Sequence, residues 1–174
     1  MKPILFRVKE EIINGINYRL NEETLTAEVA EKSGGYEGAI VIPETVVFNE
    51  LTYRVTSIGR YAFDGCSYLT SIVIPDGVMS IGESAFRGCS KLTSVTISNS
   101  VTSIGAYAFE DCYKLTSVTI NSDAIVSKNY SSSSNISDIF GSRVTEYIIG
   151  DNVRGIGKYA FDGCSSLTSV TIGN

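Results

Sequence analysis

The chain has 174 residues and a net charge of −5, with 14 Lys and Arg against 19 Asp and Glu. This length predicts one domain, and the acidic balance argues against nucleic acid or an anionic membrane as the main partner, because both bind basic patches. There is no His, which excludes a Ser-His-Asp triad, and no apolar run approaches the ~20 residues that span a bilayer.

The first 57 residues predict a β-rich segment. Residues 6–20 are typical of a hairpin, because Asn14-Gly15 supplies the positive φ angles of a type I′ turn. Further strands are expected at 24–30, at 39–42, and at 46–48 and 51–57 on either side of Asn49-Glu50. Pro43 ends the strand at 39–42, because it cannot donate to a ladder.

From residue 58 the chain repeats a unit of 23 residues. Ile-Gly pairs stand at 58–59, 81–82 and 104–105, and a fourth stands at 156–157, which leaves room for one hidden copy with six extra residues. A period in the twenties is the signature of a solenoid. We therefore expect one continuous domain, with an N-terminal β cap at 1–57 and a solenoid of ~23-residue coils at 58–174.

Each coil is expected to contain two short strands joined by a turn. In the copy at 101–120, Val118 and Ile120 alternate with Thr119, as in a strand with one buried face. Residues 101–104 read as a second extended piece, Gly105 as a corner, and residues 106–112 as one helical or 3₁₀ turn. Equivalent Phe side chains would stack into a spine, each burial contributing roughly 1.5–3 kcal/mol.

A cysteine follows the Phe by three residues in each regular copy, at Cys66, Cys89, Cys112 and Cys164. Equivalent positions in stacked turns lie about 4.8 Å apart with parallel side-chain vectors, whereas a disulfide needs converging vectors. We expect buried free thiols. The cysteines form no Cys-x-x-Cys pair, so zinc is not expected, and the sequence predicts no metal or cofactor.

The hidden copy occupies residues 121–149. Its strand is retained at 147–149, Gly141 falls where a cysteine is expected, and Ile139-Phe140 replaces the Ala-Phe pair out of register. Residues 128–135 are polar and low in complexity, which predicts a surface bulge that carries Tyr130.

The phrase Val-Thr-Ser-Ile-Gly-x-x-Ala-Phe-x-x-Cys-x-x-Leu-Thr-Ser-Val-Thr-Ile resembles the BspA-type (Treponema pallidum-type) leucine-rich repeats of Bacteroides-like bacteria. The resemblance covers 58–120 and 153–172 closely, and 121–149 loosely. It implies a β-rich, right-handed leucine-rich-repeat superhelix, and an extracellular or cell-surface location with adhesion to proteins or cells. The segment 1–7 is too short and too mixed to be a secretory signal, which by itself fits either a cytosolic protein or a chain whose leader was removed. The extracellular location therefore comes from the resemblance alone.

The candidate ligand-binding face consists of the outward positions of the main strands. These positions are Val73, Thr96, Thr119, Ile148 and Thr171, and Tyr130 in the bulge is added to them. Stacked, they would form a flat binding surface, as the faces of other solenoids do. The alternative is that Ser and Thr merely suit an exposed sheet. Exposed tyrosines beside the Phe and Cys positions are either interface anchors or packing residues.

The leading hypothesis is a non-enzymatic surface or secreted module that binds proteins or glycans of the extracellular matrix or of host cells through the sheet face and the 128–135 bulge. The alternative is a structural spacer, or a unit that stacks on itself through an uncapped C-terminal coil, where Leu167, Val170 and Ile172 would meet another copy or a missing continuation of the chain.

Overall fold

The structure is a computed structural model that describes residues 8–173. It is a β-solenoid of about six turns, mostly strands with few helices, which confirms the predicted leucine-rich-repeat solenoid. The strands are β1 Val8–Ile13, β2 Ile16–Asn21, β3 Thr26–Val29, β4 Gly38–Val41, β5 Thr45–Phe48, β6 Leu51–Ile58, β7 Leu69–Val73, β8 Ser80–Ile81, β9 Ser94–Ile97, β10 Ser103–Ile104, β11 Ser117–Ile120, β12 Glu146–Ile149 and β13 Ser169–Ile172. The helices are α1 Asp123–Val126 and α2 Ile136–Phe140.

The N-terminal hairpin, β1–β2, covers one end of the parallel array formed by β3, β6, β8 and β10. β1 and β2 pair antiparallel around Asn14-Gly15, whose φ angles are 50° and 85° as the sequence predicts. β2 pairs antiparallel with β3, and β3 pairs parallel with β6, so the sheet runs β1-β2-β3-β6-β8-β10. Residues 1–7, which include the start of the predicted hairpin and the segment judged not to be a signal, lie outside the described residues.

The segment before residue 58 also contributes parallel strands to the ladders. β3 pairs with β6 and β4 pairs with β7, so β3 and β4 stand one layer before the two strands of the next coil. The β5–β6 hairpin is inserted between them, at the strands predicted around Asn49-Glu50. The solenoid sheet is therefore continuous across residue 57.

An aromatic column runs through the core. The ring centroids of Phe63 and Phe86, and of Phe86 and Phe109, are 4.8 Å apart with nearly parallel planes. Phe140 continues the column 5.2 Å from Phe109, and Tyr36 ends it at 4.5 Å from Phe63. The predicted spine is confirmed, and it begins one layer earlier than the repeat indicates.

The segment that follows each Ile-Gly pair is not a helix. In the third regular copy, residues 106–111 form a run of turns, with the Glu110 amide bonded to the Tyr107 carbonyl and the Cys112 amide to that of Phe109. Tyr107 and Asp111 have φ angles of 59° and 57°, which a right-handed helix does not allow. The predicted helical turn was wrong for this reason.

The glycine of each Ile-Gly pair allows close stacking of the coils. A Cβ on Gly105 would collide with the backbone of Gly82 and Glu83 in the preceding coil, and a Cβ on Gly82 would meet the Arg60 nitrogen at 2.5 Å. Neither glycine has a positive φ angle, so the space, rather than the backbone conformation, requires glycine here.

The hidden copy has a different register on each of its two sides. Toward the preceding coil, the Asp138 and Ile139 carbonyls accept from the Tyr107 and Phe109 amides. Toward the following coil, the Tyr130 and Ile136 amides donate to the Lys158 and Ala160 carbonyls. The six extra residues therefore extend the stack between two registers, whereas the sequence predicts that they form a bulge.

Part of the predicted bulge is buried. Asn135 is buried as the N-cap of α2, where it accepts from the Ser137 amide while Asp138 accepts from the Asn135 amide. Lys128, Asn129 and Ser131–Ser134 are exposed, and the last four residues form a turn closed by paired backbone hydrogen bonds between Ser131 and Ser134. The low-complexity pattern of the sequence did not indicate this capping box, with which α2 begins.

Candidate functional site

The predicted face is built on one four-stranded parallel sheet, ordered β13-β12-β11-β9. The register places Thr96, Thr119, Ile148 and Thr171 directly beside one another. Thr96 and Thr171 are exposed, whereas Thr119 and Ile148 are half-buried. The inward neighbours Val95, Val118 and Tyr147 are buried, which holds this row of side chains on a rigid element.

Val73 belongs to a different sheet. It lies on β7, which pairs with β4, so its direct neighbour is Val41. These two valines are 53% and 65% exposed and form a small apolar area beside the polar row. The structure thus brings four of the five predicted strand residues into one hydrogen-bonded row and leaves Val73 outside it.

A second row runs beside the first, through Ser94, Ser117, Glu146 and Ser169. The Ser117 hydroxyl donates to the Glu146 carboxylate at 3.0 Å. The face therefore combines hydroxyl groups with one carboxylate and one apolar side chain, Ile148.

Tyr130 is positioned for packing. Its ring is half-buried against the core, and its hydroxyl donates to the Ile125 carbonyl at 2.7 Å. Burial raises the pKa of Tyr130 to about 12. The structure therefore places this predicted ligand residue in the wall of the solenoid, away from the four strand residues on the sheet face.

The tyrosines that precede Ala-Phe share one backbone feature. Tyr61, Tyr107 and Tyr159 have φ angles of 60°, 59° and 58°, and Ser84 in the equivalent place has 53°. Tyr107 and Tyr159 are about half exposed, and the Lys158 amine lies 4.8 Å from the Tyr159 ring centroid.

The four cysteines are free thiols, and three of them are buried. The Cys89 and Cys112 thiols donate to the Phe63 and Phe86 carbonyls of the preceding coil. The neighbouring Cys112 thiol and burial both raise the pKa of Cys89, which keeps it protonated and unreactive. Within residues 8–173, no three acidic, Cys or His side chains form a cluster that could hold a metal ion.

A cleft of about 310 Å³ opens at the corner of the hidden copy, where the chain between its Phe and its main strand is shorter than in the regular coils. Leu115 follows Phe109 by six residues, but the equivalent Val144 follows Phe140 by only four. The shorter chain leaves the turn of the preceding coil without a neighbour. This corner cleft is lined by Tyr107, Glu110, Asp111 and Tyr113 of one coil and by Ser137, Asp138 and Arg143 of the next.

Two further observations describe the interior of the corner cleft. The Arg143 guanidinium lies over the Tyr113 ring, 5.3 Å from its centroid. Gly141 stands at the cysteine position, as the sequence predicts, and a Cβ there would lie 3.8 Å from the Phe109 carbonyl oxygen. The missing thiol side chain thus leaves room beside Phe109. The sequence pattern singled out neither the cleft nor Arg143, although Asp111 and Tyr113 both depart from the repeat.

A larger groove of about 900 Å³ lies between the β1–β2 hairpin and the first coil. Its lining includes Glu10, Glu11, Glu31 and Asp64 with one cation, Lys32, whose amine lies 4.7 Å from the Tyr36 ring centroid. Neighbouring carboxylates make this groove acidic.

Among the residues that the structure describes, no helix is long and apolar enough to cross a membrane.

The comparisons with known proteins agree with this architecture. A family model described as "BspA type Leucine rich repeat region (6 copies)" matches residues 140–174. A leucine rich cell surface protein from Faecalibacterium prausnitzii is 30% identical, with a TM-score of 0.60 over 94% of this chain and 42% of its own. No curated protein matches the chain.

Two further solved structures are similar. The leucine rich repeat protein of Treponema pallidum is 25% identical, with a TM-score of 0.62 over 93% of this chain and 71% of its own. A leucine-rich repeat protein from Eubacterium ventriosum is 20% identical, with a TM-score of 0.62 over 95% of this chain and 40% of its own, and supports the fold alone. The chain thus spans less than half of the Faecalibacterium and Eubacterium proteins.

Proposed function

Because this chain carries BspA-type leucine-rich repeats, we propose that it is a non-enzymatic binding module of the bacterial cell surface or of the surrounding medium. The description of the Faecalibacterium neighbour as a cell surface protein supports the location. The proposed ligands are extracellular-matrix or cell-surface proteins or glycans of a host, which the module holds through its sheet face.

One observation carries the proposal: the in-register row of Thr96, Thr119, Ile148 and Thr171 on a sheet whose other face is buried along β9, β11 and β12. The buried inward face already fixes the backbone beneath this row. A ligand therefore has little backbone to order when it binds, and the energetic cost of ordering is small. The row offers hydroxyl groups for hydrogen bonds and Ile148 for apolar contact, a mixture that suits a protein ligand.

The test is capture of soluble chain by immobilised extracellular-matrix proteins and mucin, comparing the parent with the double variant Thr96→Lys, Thr119→Lys. We expect the variant to lose capture and to remain folded, with only a small fall in melting temperature, because Thr96 is exposed and Thr119 is half-buried while the two new lysines are neighbours. The matched control is Thr52→Lys, Thr102→Lys, which adds the same charge at exposed positions away from the sheet. Unchanged capture by the first variant would contradict binding through this face.

A second candidate function is assembly between copies. Val170 and Ile172 on β13 are 37% and 60% exposed, although the equivalent Val118 and Ile120 are fully buried. β13 pairs with β12 on one side, and within the described residues its other edge has no partner, so either a second copy or a further coil would cover it. Light scattering of the chain over a hundredfold range of concentration tests this candidate, and a monomer at every concentration would contradict it.

A further inference from the structure

We propose that the corner cleft between Tyr107, Tyr113 and Arg143 is a binding site for one neutral sugar residue of a glycan. The site is separate from the sheet face, so it stands whether or not the sheet face binds a protein. Four observations support it: departures from the repeat, a local interruption of the stack, the chemistry of the lining, and its charge.

The first observation is that the repeat changes at two positions that line the cleft. Asp111 stands where the other regular copies have Gly65, Gly88 and Gly163, and Tyr113 stands where they have Ser67, Ser90 and Ser165. Asp111 keeps the positive φ of 57° that glycine adopts without strain. The left-handed backbone at Asp111 costs more than it would with glycine, and Tyr113 exposes a ring, so neither change favours stability and both side chains are open to a ligand.

The second observation is an unused backbone donor. In the regular coils the corner amides of Gly65 and Gly88 donate to the Arg87 and Glu110 carbonyls of the next coil. The equivalent amide of Asp111 has no acceptor among residues 8–173, because the hidden copy lacks the facing two residues. This N–H is therefore available to a ligand hydroxyl.

The third observation is the chemistry of the lining. A sugar ring presents apolar C–H faces and a rim of hydroxyl groups, so it suits an aromatic surface beside donors and acceptors. Tyr107 and Tyr113 supply the rings, Glu110 and Asp111 accept hydrogen bonds, and Arg143 donates them. The volume of about 310 Å³ is at the small end of ligand clefts, which run from ~300 to 1,000 Å³.

The stack of Arg143 on Tyr113 also prepares the site. The Arg143 guanidinium lies 5.3 Å from the Tyr113 ring centroid, a cation–π contact that favours one arrangement of two exposed side chains before a ligand binds.

The fourth observation is the charge, which disfavours an anionic ligand. Glu110, Asp111 and Asp138 outnumber Arg143, which disfavours phosphate, sulfate and carboxylate groups. Neutral hexoses and N-acetylhexosamines carry no such penalty. The same carboxylates attract a lysine side chain, although the Arg143 guanidinium already takes the cation–π position over Tyr113. A cationic peptide is therefore the competing ligand, and the experiment includes a probe for it.

The experiment is saturation-transfer-difference NMR of the full chain with methyl glycosides of glucose, galactose and mannose and with N-acetylglucosamine and N-acetylgalactosamine. The test variant is Asp111→Gly, Tyr113→Ser, which restores the residues of the other copies. This variant should fold at least as well as the parent, because glycine relieves the positive φ angle at 111. The control is Tyr68→Ser, which removes an exposed tyrosine stacked with Lys91 outside the cleft.

We expect at least one saccharide to give transfer from the parent and from Tyr68→Ser. The double variant should bind it at least about 10-fold more weakly, as when an anchoring aromatic is truncated. Saccharide binding that survives in the double variant, or no binding to any of the five probes, overturns the proposal. Binding of N-acetyl-lysine amide with its free side-chain amine, in place of every saccharide, overturns it in favour of a cationic peptide.

Discussion

The Cys112 thiol donates a hydrogen bond to the carbonyl oxygen of Phe86, with 3.1 Å between sulfur and oxygen. The same bond joins Cys89 to Phe63 at 3.2 Å. The repeated cysteine therefore joins consecutive coils through a donor as well as filling space, because the carbonyl that it reaches lies in the layer before its own. The cysteine position of the repeat, which the sequence indicates as hydrophobic, therefore also supplies a hydrogen-bond donor.

Replacing Cys112 by Ala should lower the free energy of unfolding by about 2 kcal/mol, from a lost hydrogen bond and a small cavity. The thiol is buried, so water cannot replace it at the Phe86 carbonyl. Urea denaturation measures the loss. Cys164→Ala is the matched control and should cost less than half as much, because that thiol is only half-buried. Equal losses in the two variants would show that the bond between coils contributes nothing.

Replacing Phe86 by Ala should cost about 3–5 kcal/mol. Phe86 is fully buried between two rings at 4.8 Å, so the coils on both sides lose contacts. Phe161→Ala should cost clearly less, since Phe161 is half-exposed and, among the aromatic rings of residues 8–173, its ring meets only that of Tyr147. Thermal and urea unfolding of both variants test this order, and the reverse order would contradict the role of the column.

Replacing Gly105 by Ala should destabilise the chain by roughly 2–3 kcal/mol, because the new Cβ collides with the backbone of Gly82 and Glu83. Gly155→Ala is the control. A Cβ there meets nothing within 4 Å, and we expect a change within about 0.5 kcal/mol. Circular dichroism melts of the two variants give the comparison, and a neutral Gly105→Ala would mean that the coils stack less closely than described.

Stability should fall at alkaline pH. Burial raises the pKa of Tyr18, Tyr36 and Tyr130 to about 12, from an unfolded value of about 10. The unfolded state therefore loses these protons first, so their contribution is complete below pH ~10 and disappears as the pH rises towards 12. Burial also raises the pKa of Cys66 and Cys164, which starts the loss near pH ~9.

The measurement is the free energy of unfolding by urea from pH 7 to pH 11. We expect a plateau up to about pH 9 followed by a steep fall. Tyr36→Phe should lower the plateau, because the hydroxyl bonds the Asn17 amide and the Ala30 carbonyl, and should make the fall shallower. A stability that stays level to pH 11 would show that these side chains are open to solvent.

Much of the solenoid could be predicted because each regular copy of the repeat has the same kinds of residue at the same positions. Positions such as Val118 and Phe109 are apolar in every regular copy, and a buried column is the arrangement that satisfies all copies together. The Ile-Gly spacing also gave the length of each coil. The backbone turns after Gly105 could not be predicted, because positive φ angles at Tyr107 and Asp111 contradict the usual preference of these residues.

The candidate sites were less predictable. Thr96 and Thr119 follow from alternation alone, so the row on the sheet was expected, although Val73 belongs to another sheet. The corner cleft depends on a two-residue shortening in one copy, which brings Arg143 beside Tyr113. Departures from the repeat at Asp111 and Tyr113 were the signal that could have found it.

The hidden copy (residues 121–149) is one layer whose two neighbouring coils pair with it in different registers. Phe140 continues the order of the coils before it, while Ile136 makes the backbone bond for the coil after it, and Tyr147 fills the gap between Phe140 and Phe161. Selection can therefore tune the two faces of this layer separately. We therefore expect a substitution at Phe140 to act mainly on the earlier coils and one at Ile136 mainly on the last coil.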